Sequence, residues 1–157
     1  MSPERPSGQD LLTREALVRH TGTGINVEDL LGRWCLRTIW AKGQVVPSPL
    51  AGLGLRASGA TLELKQAGAG LVIVNSVRLG SLNLQFSGAA HLVGRRPLLQ
   101  FCFRDLELRW NERRLWHRRL PMPTGRQRPF FALIARDPQG WLAARGRGGG
   151  LALWDLV

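Results

Sequence analysis

Leu31-Gly32-Arg33-Trp34-Cys35-Leu36-Arg37-Thr38-Ile39-Trp40 is the stretch that decides how the chain is read. A short helical signal stops at Gly32, and an extended segment rich in β-branched and aromatic residues starts directly after it. Gly-x-Trp at the head of a first strand has a physical use in a small closed β-barrel. The glycine lets the chain turn into the barrel floor. The indole, large, rigid and carrying one N–H donor, plugs that end.

Upstream, residues 1–9 carry Pro, Ser and Gly without an apolar pattern and are expected to be disordered. A helix is predicted from Asp10, as N-cap, to about His20, with its apolar residues spread around the wheel. Asn26 caps a short turn over Val27–Leu31, with Glu28 and Asp29 in its positive first turn. Downstream, strands are predicted at Arg33–Trp40, Ala60–Gln66, Gly70–Arg78 and Ser81–Leu92, then at Pro97–Trp110 and Arg113–Leu120, and finally at Phe130–Ala135, Trp141–Arg145 and Leu151–Leu156. Between the first two lies a long connection with a turn of helix around Leu50–Leu53.

Ser81–Leu92 gives the cleanest period of two: Leu82, Leu84, Phe86, Gly88, Ala90 and Leu92 share one face. In the next strand Leu99, Phe101 and Phe103 are odd but Leu106, Leu108 and Trp110 are even. One extra residue near Arg104-Asp105 restores a single inward face, as a β-bulge does at a barrel corner. No helix signal after Gly32 is strong enough for a crossover, so a parallel α/β sheet is excluded. The fold class is mainly β: an antiparallel up-and-down barrel of about eight strands with one or two short N-terminal helices, residues 10–157 forming one domain.

The chain has 157 residues and a net charge of +11, and of its 22 basic residues only Lys42 and Lys65 are lysine. From Arg95 to Arg128 ten arginines face Asp105, Glu107 and Glu112. Such an excess attracts polyanions, whether phosphate backbones or an anionic lipid surface. The first nine residues lack the apolar core of a secretory signal, and no run is long enough for a transmembrane helix. Cys35 and Cys102 are expected to be reduced, buried thiols. No Cys/His spacing suits a metal.

Gly32-x-Trp34 after a short helix is similar to the lipocalin superfamily. Taken with Leu30-Leu31 before it, Asn75-Ser76, Leu120-Pro121-Met122-Pro123 and the close from Trp141 through Arg145-Gly146 to Leu153, the order of motifs resembles the plastid lipid-associated proteins, or fibrillins. The resemblance covers roughly residues 26–157. It implies a lipocalin-like barrel that binds or carries hydrophobic molecules and associates with lipid bodies or thylakoid membranes, so the expected location is cytoplasmic or peripheral to the thylakoid. It also implies that Arg145 packs over Trp34, the two closing the barrel with Gly32; a guanidinium on an indole face is a favourable contact.

Catalysis has little support. His20, His91 and His117 each lack a nucleophile or carboxylate at a recognisable spacing. Asp105 and Glu107 share a face, but Arg104 and Arg109 flank them, which predicts cross-strand ion pairing. The glycine turn at 146–150 has no Lys-Ser/Thr and no helix after it, so it is not a phosphate loop. The expectation is a non-enzyme with no cofactor, holding a hydrophobic small molecule against Leu84, Phe86, Phe101 and Phe103, with Trp40 and Arg78 nearer an open end. Small barrels also occur packed solid, and the sequence leaves both states, like the oligomeric state, open. Arg113, Arg114, Trp116, Arg118 and Arg119 are expected to meet an anionic membrane or another polyanion. Two other classes stand beside this reading: a lipocalin-like bilin chromophore lyase, its arginines pairing with pigment propionates, and a basic nucleic-acid-binding module, for which no recognised motif is present.

Overall fold

The computed structural model describes residues 4–44, 47, 59–68, 70–122 and 128–157. The expected helical turn at 50–53 lies outside them. Two helices, α1 (Gly8–Thr21) and α2 (Val27–Leu30), precede nine strands: β1 (Gly32–Trp40), β2 (Thr61–Ala67), β3 (Gly70–Leu79), β4 (Leu82–Val93), β5 (Leu98–Trp110), β6 (Arg113–Arg119), β7 (Phe130–Asp137), β8 (Trp141–Gly146) and β9 (Leu151–Leu156). All pairings are antiparallel. They run β1-β2-β3-β4-β5-β7-β8-β9 and return to β1, so eight strands close a ring. The ninth, β6, pairs with the far half of β5. The fold is a mainly β, lipocalin-like barrel.

The helical segment begins earlier than its sequence suggests. Ser7, not Asp10, is the N-cap: its hydroxyl accepts from the Asp10 backbone N–H while the Asp10 carboxylate accepts from the Ser7 backbone, a reciprocal capping box. Residues 8 and 9, expected to be disordered, are therefore helical. Arg5 pairs with Asp155 at 2.8 Å. Asn26 caps α2 with the same device, using Asp29.

Two apolar clusters flank the sheet. Inside the ring, Trp34, Leu62, Leu64, Ile73, Leu99, Leu133, Leu142 and Trp154 pack with Leu30 of α2. On the outer face, Leu11 of α1 packs with Trp40, Ile134, Trp141, Ala143, Leu151 and Leu153. Strands β8 and β9 are thus buried on both faces, as a sheet covered by a helix must be.

The bulge expected near Arg104 is present. Ser87 pairs with Asp105 and Gly88 with Phe103, leaving Arg104 as the extra residue of β5. Gly88 is what permits the close approach: a Cβ there would lie 1.8 Å from the carbonyl oxygen of Cys102. The two thiols are free but only half-buried. They pair with Thr61 and Ala89, outward positions of the sheet, which corrects the expectation that both are buried.

Candidate functional site

The floor of the barrel is built as expected in two of three parts. Gly32 turns the chain at φ 130°. Trp34 is fully buried, and its indole N–H donates to the Leu30 carbonyl at 2.9 Å. The guanidinium over the ring, 5.1 Å from its centroid, belongs to Arg136 and not to Arg145. Arg136 also donates from Nε to the Asp29 carbonyl at 3.0 Å, tying β7 to α2.

The reason is register. Arg136 pairs with Leu142, an interior residue, across a bulge between Leu133 and Ala135. Arg145 alternates outward with Trp141 and Ala143. There it grips the buried carboxylate of Glu15 from α1, with Nε at 2.7 Å and Nη2 at 3.1 Å. Arg19 reaches the same carboxylate at 2.9 Å. Arg145 therefore anchors the helix to the barrel wall.

Of the expected ligand residues, Phe86, Phe101 and Phe103 do meet inside the ring. Phe86–Phe103, Phe103–Phe101 and Phe101–Phe131, in tilted contact, and Phe131–Trp154, edge to face, form a chain of rings with centroids 5.1–5.5 Å apart. At this level the barrel is filled by its own side chains. Leu84 lies on the same face further along, half-buried opposite Leu108. Trp40 does not join them. It sits on the outer face beneath α1, because β1 slips register between Leu36 and Thr38. Arg78 also points outward, between inward Val77 and Leu79, and pairs with Asn83. It lines a separate outer cleft of about 240 Å³ with Arg33, Thr61 and Ser76.

Beyond Phe103 the inward face continues onto the β4–β5–β6 ribbon. Residues paired across antiparallel strands share a face, so three rows can be read off the register: Phe86–Leu106–Arg118, Leu84–Leu108–Trp116 and Leu82–Trp110–Arg113. The Leu and Phe side chains of these rows are half-buried, and Trp116 and Trp110 are 46% and 51% exposed. The opposite face is polar. There Asp105 meets His117 at 2.8 Å, and Glu107 meets Arg109 at 3.2 Å and Arg114 at 3.5 Å. The acid pair flagged in the sequence is engaged in cross-strand contacts, as expected.

All seven residues of β6 are exposed, but the register divides its arginines. Arg114 and Arg119 lie on the polar face, Arg113 and Arg118 on the apolar one. Leu115, the extra residue of a further bulge opposite Leu108 and Arg109, makes the division invisible in the sequence Arg-Arg-Leu-Trp-His-Arg-Arg. Among the described residues, no group of three His, Cys, Asp or Glu side chains is arranged to hold a metal ion, and no helix is long and apolar enough to cross a membrane. Compared with protein-family models and with curated proteins, the sequence finds no match in either.

Proposed function

We propose that the chain binds or carries a hydrophobic small molecule (a lipid, isoprenoid or pigment) without transforming it, at or near a photosynthetic membrane. One observation supports the binding: above the Phe86–Phe103 contact the inward face stays apolar but stops being covered. Each half-exposed Leu or Phe forgoes on the order of 1 kcal/mol of burial, which an apolar ligand laid on the rows restores. The membrane setting and kinship with the plastid lipid-associated proteins rest on the motif order alone. The Arg145-Gly146 motif supplies the α1 anchor instead of the stack on Trp34.

The test is native mass spectrometry, with an absorbance spectrum, on protein purified from a pigment-containing host. A lipid, quinone or carotenoid at near-stoichiometric occupancy is the expected result. A bilin spectrum transfers the proposal to the lyase class, and a clean apo mass with no uptake of added lipid overturns it.

A second reading, contact with an anionic membrane surface, is favoured by the full exposure of β6 with its four arginines and Trp116. Each arginine near such a surface contributes about 1 kcal/mol, within a Debye length. Flotation should show binding to anionic but not neutral vesicles, weakened by salt; binding indifferent to both removes the electrostatic version.

A further inference from the structure

We infer that the ligand of the β4–β5–β6 strip is a single-chain anionic amphiphile, its acidic head held by Arg113 and Arg118. The inference rests on the hydrophobic-ligand reading above and narrows it, from any apolar molecule to one carrying a carboxylate or phosphate head.

Three facts of the ribbon carry it. First, the carboxylates of its strands are segregated, Glu112 lying in the β5–β6 turn. Asp105 and Glu107 are both on the polar face, where they pair with His117, Arg109 and Arg114. Second, Arg113 and Arg118 lie on the other face, with no carboxylate within ion-pair distance among the described residues. Third, the two flank Trp116 and stand opposite Trp110 and Leu106, at the border of the apolar rows. Their β5 partners are four residues apart, about 13 Å along the strand, so a long guanidinium side chain from each end reaches toward the middle row. An arginine beside apolar side chains, without an acid of its own, suits a ligand that brings both an apolar chain and an anion. Guanidinium to carboxylate or phosphate is the charge-assisted, often bidentate contact that such a head would make. A neutral isoprenoid would leave both guanidiniums unused.

The test is a fluorescence titration of the whole chain with a polyene fatty acid and, in parallel, with its methyl ester, both below their aggregation thresholds. The acid is expected to bind about tenfold tighter or more. Arg113→Gln/Arg118→Gln should abolish that preference and leave ester binding unchanged. Arg114→Gln/Arg119→Gln, with the same loss of charge on the same strand but on the opposite face, should keep it.

Equal affinity of acid and ester for the unsubstituted chain overturns the inference while the hydrophobic-ligand reading stands. So does an equal loss of preference in the two double variants, which would make the effect one of bulk charge. No binding of either probe overturns both readings. If the monomeric acid fails to bind while vesicles of phosphatidylcholine with phosphatidylglycerol pellet the protein and vesicles without it do not, the arginines serve a lipid surface and the inference falls.

Discussion

On the β7–β9 and β1 side the wall is covered twice, with Leu142, Ala144 and Trp154 filling the interior and Trp141, Ala143 and Leu153 lying beneath α1. On the β4–β6 side the same sheet continues as a single layer, with ion pairs on one face and half-exposed Leu, Phe and Trp on the other. The covered side obeys the rule that apolar surface is removed from water. The ribbon departs from it along one face, and that face carries two arginines with no carboxylate in ion-pair distance among the described residues. The difference teaches where to look: stability sits where the sheet is double-covered, and binding where the apolar face runs out of cover.

Gly88 marks where β4 and β5 leave the filled interior of the ring for the ribbon, so breaking that close approach has the largest expected effect. A Cβ at Gly88 meets backbone, the Cys102 carbonyl, and no side chain can move aside. Gly88→Ala should cost about 3 kcal/mol or more, lowering the melting temperature by about 10 °C. A thermal scan followed by circular dichroism within 2 °C of the parent would mean that β4 and β5 do not approach as described.

Paired truncations along β5 then compare the filled interior with the ribbon directly. Leu99 is fully buried in the lower interior and Leu108 is half-buried on the ribbon. Leu99→Ala should cost about 3 kcal/mol and Leu108→Ala about 1 kcal/mol, since less apolar area returns to water. Urea midpoints measure both. Equal costs would erase the distinction between a filled half and an open one.

How much of this was legible in the chain depends on whether its faces differ chemically. Leu82 to Leu92 alternates apolar with polar, so its inward face could be read, and the phase change after Phe103 gave the bulge at Arg104. In Trp141-Leu142-Ala143-Ala144-Arg145 both faces hold buried residues, so alternation carries no information, and the stack on Trp34 that the resemblance implies for Arg145 is made by Arg136. Trp40 was misplaced for a related reason: the irregularity between Leu36 and Thr38 reverses the faces of β1, and β-branched and aromatic residues there suit either. Glu15 gave no signal either. A carboxylate in a helix reads as solvated until the arginines around it are seen: Arg19 one turn on in α1 and, from distant segments, Arg145 and, at 4.0 Å, Arg96.

The exchange of roles between Arg136 and Arg145 gives the next, smaller effect. A double-mutant cycle between Arg145→Gln and Glu15→Gln should show coupling of about 1–2 kcal/mol, because each removes the other's partner. Arg136→Gln, which loses the guanidinium over Trp34, should cost about 1 kcal/mol and add independently to Glu15→Gln. Denaturant unfolding of the three single and two double variants decides it. Coupling of Arg145 to Trp34 instead would restore the closure that the sequence suggested and undo the assignment of the α1 anchor.

The smallest effect lies at the start of the helix that thickens the covered side. The Ser7 hydroxyl, then the Ser7 backbone N–H, hydrogen-bond the Asp10 carboxylate and hold its pKa below the usual aspartate range. A folded-state pKa below the unfolded one contributes stability that is present above the unfolded value, about 3.9, and is lost as pH falls through the lowered one. Ser7→Ala removes the hydroxyl that accepts from the Asp10 N–H and donates to its carboxylate, while the Ser7 backbone N–H remains, so Asp10 should titrate closer to its ordinary value. Near neutral pH the melting temperature should drop by about 2 °C. That gap should narrow as the pH is taken below about 4, because the parent then loses what the variant never had. Carboxyl carbon shifts of Asp10 followed by NMR report the titration itself. A gap that widens in acid would mean that the cap does not act through the carboxylate, and that α1 is held on the wall by Leu11 and Glu15 alone.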